Sequence, residues 1–319
     1  MRALFTFLAA ATLPGCAGPG SYTPTPRGPY VVVLGTAQDA GLPQIGCLEE
    51  RCVRARKHPQ ERRLVTSLLL ADPRTGKRWL FDATPDIREQ VTRAAPHPPT
   101  RSFSGPRPPL FDGLFLTHAH MGHYTGLLHL GPEAYGAKDL PVYVSTRFDT
   151  FLRQNGPWSL LVDAGVIRPE EILQDERITL GENLFVRALV VPHRDEFTDT
   201  LAFIIEGPRE SLLYLPDIDK WERWSTPIEE VLARVDHALL DGAFYTADEI
   251  PGRDLSEIPH PLITESLARF APLPASERRK VLFTHLNHTN PACDSGSPAD
   301  LEIGNAGMGV ARDGIIFEL

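Results

Sequence analysis

Several residue types and motifs are scarce in this 319-residue chain. It has only four cysteines, too few for a disulfide scaffold at this length. Lysine is rare, and acidic residues outnumber basic ones to give a formal net charge of -9, so no overall basic field is available to hold nucleic acid. The chain lacks a GxSxG elbow, a Walker loop and a GxGxxG fingerprint, which leaves serine-hydrolase and nucleotide-fold interpretations without support.

The composition that remains, 42% apolar and 23% charged, is typical of a soluble globular protein. From Tyr30 onward, apolar runs of strand length alternate with segments of helical spacing. This alternation predicts a layered α/β protein with mixed sheets. We expect residues 30–319 to form a single domain, with a helix over 123–130 and a loop around Cys47 and Cys52.

The N-terminus has the features of an export signal. A charged start, an apolar run over 3–13 and the sequence Leu13-Pro-Gly-Cys16 resemble a lipoprotein signal peptide over residues 1–16. We therefore expect a lipidated Cys16 and an exported protein, anchored to a bacterial membrane only through its lipid, on the periplasmic or cell-surface side. An ordinary signal peptide with an incidental cysteine is the alternative. Residues 17–29, rich in Gly, Pro, Ser and Thr, predict a flexible tether.

Three histidines fall within six residues in the sequence His118-Ala-His120-Met-Gly122-His123. They follow an apolar strand and precede a helix. His118 and His120 point the same way in extended backbone, and the turn brings His123 to a neighbouring position. Imidazole is a favoured ligand of zinc, iron and related ions, so this segment predicts a metal site.

Three further polar residues each follow an apolar run: His193, Asp217 and His285. Ligands of α/β sheets bind outside the carboxyl ends of the strands. A lone residue of this kind is often a cap or turn residue. Their shared position at strand ends therefore indicates one common site.

The segment 118–123 resembles the HxHxDH signature of the metallo-β-lactamase superfamily, and the three later residues come in that family's order. Asp82 resembles the family's earlier strand-end aspartate, which supports the metal loop. The segments 34–44 and 284–291 are similar to the pyrroloquinoline quinone biosynthesis protein B family. The resemblance covers nearly all of residues 30–319.

This resemblance implies an α/β fold, an αββα four-layer sandwich with two mixed β-sheets and a metal site at their open edge. The two metal positions it implies use these residues: His118, His120 and His193 in the first, and His123, Asp217 and His285 in the second, with Asp217 bridging. Gly122 departs from the family, which usually has an aspartate there as a ligand of the second ion. We therefore expect one firm and one weaker divalent ion, with zinc favoured and manganese or iron as alternatives.

The implied function is a metal-dependent hydrolase that uses activated water on a small ester-type substrate, with a phosphodiester or lactone expected. Asp217 and His123 are the candidate catalytic residues. Two alternatives remain: an iron-dependent oxidase or hydroxylase related to quinone cofactor biosynthesis, and a non-catalytic binding protein of the same fold. Residues 194–196 are expected to be supporting or surface residues, and His260 a surface or turn position.

The remaining cysteines form a second candidate cluster. In the phosphonate-pathway cyclic phosphodiesterases, the corresponding region holds a structural zinc, together with a histidine three residues after the last active-site histidine. By this resemblance, Cys47, Cys52, His288 and Cys293 make a closed four-ligand structural zinc site. A Cys47–Cys52 disulfide, which an exported protein permits, is an equally weighted alternative.

Overall fold

The computed structural model describes residues 26–97, 109–249 and 258–319, so the predicted signal peptide with Cys16 lies outside the described residues. The strands in these ranges are β1 (Tyr30–Gly35), β2 (Ser67–Asp72), β3 (Lys77–Phe81), β4 (Gly113–Phe115), β5 (Leu140–Val144), β6 (Ile167–Glu171), β7 (Arg177–Gly181), β8 (Leu184–Val191), β9 (Thr200–Glu206), β10 (Ser211–Leu215), β11 (His237–Asp241), β12 (Val281–Thr284), β13 (Gly309–Val310) and β14 (Ile316–Glu318). The α-helices are α1 (Glu50–Lys57), α2 (Ile87–Arg93), α3 (Met121–Tyr124), α4 (Thr146–Gln154), α5 (Trp158–Asp163), α6 (Ile228–Leu232), α7 (Ile263–Phe270), α8 (Ala275–Arg278) and α9 (Pro298–Asn305). Across these same ranges, no helix has the length and apolar character needed to cross a bilayer.

In the described part of the chain, the strands form two seven-stranded mixed sheets. The first sheet has the order β14-β1-β2-β3-β4-β5-β6 and the second β13-β12-β11-β10-β9-β8-β7. In the order given, the first sheet has three antiparallel pairings followed by three parallel ones, and the second has three parallel pairings followed by three antiparallel ones. The parallel strands β3 and β4 of the first sheet, and β10, β11 and β12 of the second, therefore each present aligned carboxyl ends.

The central strands are buried on both faces, which explains their continuous apolar runs. In β1, Val31 and Val33 pack into the core between the sheets, whereas Tyr30 and Val32 pack into the core on the outer face, because successive side chains point to opposite faces. The outer face of the first sheet packs against α2, α4 and α5, and that of the second against α1, α6, α7 and α9. The predicted αββα sandwich with two mixed sheets is confirmed.

One local prediction was wrong, and a second differs in its bounds and helix type. The segment expected to be a loop around Cys47 and Cys52 contains α1, whose Cys52 is fully buried in the core of the second sheet. The helix expected over 123–130 begins earlier, as α3, and continues as a 3-10 helix over Thr125–Leu130. Its backbone is tied to the end of β3, where the Gly126 amide donates to the Ala83 carbonyl at 2.9 Å.

The sequence did not predict β6, β7, β13 and β14. Strand β6 contains a proline and three charged residues, a composition that suits the sheet edge on which it lies. Strand β13 has only two residues. Short, polar edge strands lack the apolar run by which the central strands were found.

Candidate metal centre

The candidate site lies where parallel strands of both sheets end. Asp82 follows β3, and His118 comes shortly after the neighbouring strand β4. In the second sheet, Asp217 follows β10, Asp241 ends β11 and His285 follows β12. Parallel pairing aligns these ends, so the fold itself collects the side chains at one edge of the sandwich.

The first group contains His118, His120 and His193, whose candidate ligand atoms all lie within 4.8 Å of one another. The His118 Nε2 and His120 Nδ1 atoms are 2.8 Å apart. Backbone at His120 is extended (φ -90°, ψ 151°), and α3 starts at the next residue. The structure thus brings together the three residues that the sequence predicts for the first metal position.

The second group centres on Asp217. Its Oδ2 lies 2.9 Å from His123 Nε2 and 3.2 Å from His285 Nε2. The same carboxylate reaches the first group, with Oδ1 3.5 Å from His193 Nε2 and Oδ2 4.0 Å from His118 Nε2. Asp217 therefore stands between the two groups, where the sequence predicts a bridging ligand.

Several polar atoms of this site are buried without a hydrogen-bond partner. Among the described residues they include His123 Nε2, Asp217 Oδ2 and both ring nitrogens of His285. The short contact between His123 and Asp217 lacks hydrogen-bond geometry. Burying unpaired polar atoms and a carboxylate is costly. Because imidazole and carboxylate are ligands of divalent transition metals, the donor set fits such an ion, and coordination would satisfy these atoms.

Asp82 anchors the histidine loop through hydrogen bonds to its carboxylate. Its carboxylate accepts hydrogen bonds from the Thr117 amide at 2.8 Å, from the Tyr214 hydroxyl at 3.0 Å and from His123 Nδ1 at 2.9 Å. The His123 bond places a proton on Nδ1 and leaves Nε2 as the ligand atom. Asp82 has a left-handed backbone (φ 61°), as does His285, also φ 61°. Such strain at two strand ends is typical of functional sites.

Burial keeps most of these imidazoles neutral. It lowers the pKa of His285 and of His193 to about 3, and it lowers the pKa of His118 well below its usual value, with a further contribution from His123. Burial also acts to lower the pKa of His123, but the Asp82 and Asp217 carboxylates outweigh it and raise that pKa well above its usual value. Neutral imidazole is the form that binds metal.

Sequence reasoning missed His260 and Asp241. His260 was expected at the surface, but it is buried, and its Nδ1 lies 2.8 Å from Asp241 Oδ2 and 3.6 Å from Asp217 Oδ1. The Ile218 and Ala243 amides also donate to Asp241. Asp241 ends an apolar strand, so the rule that found Asp217 could have found it as well.

Asp39, in the loop after β1, was also missed. It forms a third group with His123 and His285, with candidate ligand atoms within 4.8 Å. Its Oδ1 is 3.8 Å from His123 Nε2. Its immediate neighbours are small or polar, so no apolar run marks it, although it lies within the segment 34–44 that carries the family resemblance.

The matched family model, described as a beta-lactamase superfamily domain, spans residues 77–286, more than half of the chain. It includes the histidine motif, Asp217 and His285. The chain belongs to the beta-lactamase superfamily.

Within this superfamily, the chain is similar to coenzyme PQQ synthesis protein B of Methylobacterium radiotolerans, with 27% identity over 91% of this chain and 99% of the relative. A crystal structure of zinc-bound PqqB from Methylobacterium extorquens has a TM-score of 0.75 and 22% identity, covering 91% of this chain and 100% of that one. The crystal structure of a diphosphatase of the PhnP family has a TM-score of 0.64 and 23% identity, covering 91% of this chain and 97% of that one. The resemblance predicted from the sequence is confirmed, and the two structures show the likeness of fold.

The rim of the superfamily site carries charged residues from the loop after His193. Glu196 Oε2 lies 3.1 Å from His120 Nε2, and Arg194 Nη2 lies 3.4 Å from His120 Nδ1. The side chains of Arg194 and Glu196 are about half exposed. These two residues contact a predicted metal ligand and face solvent, so an incoming substrate can reach them.

The cysteine cluster lies on the outer side of the second sheet. Cys47, Cys52 and His288 have candidate ligand atoms within 4.8 Å of one another. Cys293 is buried, and its Sγ donates to the Asn287 carbonyl at 3.4 Å. The three cysteines within the described ranges are free thiols. The structure thus brings Cys47, Cys52 and His288 together, and the zinc ligation of all four residues stays a prediction.

Proposed function

We propose that this protein is a metal-dependent hydrolase of small ester-type molecules, with phosphodiesters or lactones as its substrates. The observation that carries the proposal is the position of Asp217, which contacts both histidine groups and lies beside the His260–Asp241 pair. Two metal positions that share one carboxylate are suited to attack by water on an ester.

Each residue has a distinct task in this proposal. Divalent ions at such a site would lower the pKa of bound water from ~15.7 towards ~7 and would polarise a carbonyl or phosphoryl oxygen. His118, His120 and His193 would hold the first ion, and Asp217 would be shared with the second. Asp82 keeps the His123 ring oriented through its Nδ1 hydrogen bond.

His260 is the candidate proton donor to the leaving group. The hydrogen bond between Nδ1 and Asp241 fixes the ring, and the Asp241 carboxylate, itself held by two amides, stabilises a protonated imidazole. A buried histidine oriented by a carboxylate is a common general acid. This pair supplies the donor that the sequence left unnamed.

Arg194 favours an anionic ester. Its guanidinium lies at the rim beside His120 and is half exposed. A guanidinium donates paired hydrogen bonds to phosphate or carboxylate oxygens. This positive group, together with bound cations, would offset the acidic net charge of the chain at the site itself.

A second candidate function is an iron-dependent oxidase or hydroxylase. It is favoured by the similarity to coenzyme PQQ synthesis proteins over 91% of the chain. Imidazole and carboxylate ligands serve iron as well as zinc.

Metal analysis of the purified protein, followed by activity assays, tests both candidates. We expect zinc or manganese, with hydrolysis of bis(p-nitrophenyl) phosphate or an aromatic lactone that disappears in His118→Ala. Iron with substrate-dependent oxygen uptake and no ester hydrolysis would support the oxidase instead. Absence of any bound transition metal, with His118→Ala indistinguishable from wild type, contradicts both.

We also propose that the enzyme acts outside the cytoplasm, held by a lipid on Cys16, on the basis of the N-terminal sequence. Labelling of cells with a palmitate analogue should mark the wild-type protein and leave Cys16→Ser unmarked. Equal labelling of the two proteins, or none of either, contradicts the anchor.

A further inference from the structure

The loop after β1 delivers a carboxylate to the second histidine group. Asp39 Oδ1 is 3.8 Å from His123 Nε2, and Asp39 shares a group of candidate ligand atoms with His123 and His285. We propose that Asp39 is a ligand of the second metal position, together with His123, Asp217 and His285. This inference rests on the proposed metal-dependent function and names one more residue of its site.

Backbone contacts fix Asp39 next to His285. The Gln38 amide donates to the Leu286 carbonyl at 2.9 Å, and the Leu286 amide donates to the Thr36 carbonyl at 2.9 Å. A parallel bridge pairs Ala37 with Leu286. The residues immediately before Asp39 are thus hydrogen-bonded to the residue after His285. The backbone contacts that position His285, a candidate ligand, therefore also position the Asp39 carboxylate.

Gly122 leaves the space that Asp39 uses. A Cβ atom at position 122 would lie 2.2 Å from Asp39 Oδ1 and 2.8 Å from Asp39 Cα. The second contact is with backbone, so a change of side-chain rotamer cannot relieve it. In this loop conformation, position 122 therefore has no room for a side chain. At the position of Gly122, the superfamily motif usually has an aspartate. This chain has a glycine there, and the carboxylate of Asp39 comes from another loop.

Burial distinguishes the two carboxylates of this group. The Asp217 side chain is 3% exposed, whereas that of Asp39 is 34% exposed. Asp39 therefore lies on the solvent side of the second position. A ligand there closes the coordination shell of an ion and stays close to incoming substrate.

The test measures metal content and affinity with zinc alone, so it does not depend on hydrolysis. Wild type and Asp39→Asn are loaded with zinc, dialysed and analysed for zinc per chain. Chelator competition then gives the affinity of each ion. The matched control is Asp199→Asn, since the Asp199 side chain is 33% exposed and pairs with Arg147 at 3.3 Å.

We expect Asp39→Asn to lose one zinc equivalent relative to wild type, or to bind its weakest ion at the histidine centre at least ~10-fold less tightly. Asp199→Asn should match wild type. Circular dichroism confirms that each variant is folded, and Asp39→Ala replaces Asp39→Asn if the latter is unfolded.

Wild-type zinc content and affinity in folded Asp39→Asn would overturn the proposal, as would a histidine centre that binds a single ion in wild type. These outcomes leave the hydrolase proposal standing. A wild-type protein with no zinc at its histidine centre, by contrast, removes the proposed function together with this inference.

Discussion

The histidine centre and the cysteine cluster use the same two loops in opposite ways. The loop after β1 carries both Asp39 and Cys47, and the loop after β12 carries both His285 and His288. The histidine centre faces the open edge of the sandwich and has orphaned polar atoms and strained backbone. The cysteine cluster lies near α1. We propose that the histidine centre carries the chemistry and that the cysteine cluster holds the loops on which that centre depends.

This comparison explains why the two clusters should respond differently to mutation. A change at the histidine centre removes ligands from a site that the fold has already formed through strand pairing. A change at the cysteine cluster removes a tie between loops that have little strand pairing of their own. We expect the first kind of change to act on activity and the second on stability.

The largest effect is expected for His118→Ala. Removing one preorganised electrostatic group from an active site costs ~10²–10³-fold in rate, and loss of an ion removes more, so hydrolysis should fall by at least ~10³-fold. The melting temperature should change little. Steady-state kinetics and thermal unfolding check this, with His237→Ala as control, because His237 pairs with Glu210 at 2.7 Å outside the site. Full activity in His118→Ala would contradict the assignment of this histidine.

Loss of the proton donor should come next. His260→Gln and Asp241→Asn are each expected to lower hydrolysis by ~10²-fold or more, which is the usual contribution of a general acid. The loss should be large for an ester with an alkoxide leaving group and small for one with p-nitrophenolate, since the latter needs no protonation. Metal analysis serves as the control and should show wild-type zinc content. An equal loss for both esters assigns the pair a structural role.

A smaller effect is expected for Asp82→Asn. The change keeps the shape of the side chain but weakens the acceptor for His123 Nδ1, which should lower metal affinity by ~10–100-fold. Activity should therefore return at saturating zinc. Zinc titration of the rate distinguishes this from His118→Ala, which saturating zinc should not restore.

The sequence predicted the parts of the site that follow central strands. His193, Asp217 and His285 each come shortly after a mostly apolar strand, so the apolar runs located them. Asp39 could not be predicted in this way. Its approach to His285 depends on a bridge between Ala37 and Leu286, residues that are far apart in the chain.

His260 was hidden for a different reason. It lies in a proline-flanked segment before α7, where a histidine is usually at the surface, and its burial follows from contact with Asp241 across the sheet edge. Helix α1 was missed because charged residues dominate it, although Cys52 and Ala55 face the core. In both cases tertiary packing overrides a local pattern that favours exposure.

The smallest effect on catalysis is expected for Cys52→Ser, which tests the other side of the comparison. The mutated protein should lose one zinc that wild type retains, and its melting temperature should fall by roughly 5 °C. Its rate at a temperature well below unfolding should stay within about twofold of wild type, because the strand ends that position the histidines are unchanged. An exposed serine control, Ser225→Ala, should alter neither zinc content nor melting temperature.

A thiol count on zinc-stripped Cys16→Ser protein then separates zinc from a disulfide. Three reactive thiols are expected, since the described cysteines are all unpaired in this fold. One thiol would show that Cys47 and Cys52 are joined. In that case the tie between the β1 loop and α1 is covalent, and it no longer includes His288. The loop after β12 would then depend on its hydrogen bonds alone, among them the bond from Arg51 to the His288 carbonyl at 2.9 Å. Chelators would deplete the histidine centre without lowering the melting temperature, whereas a reducing agent would lower it.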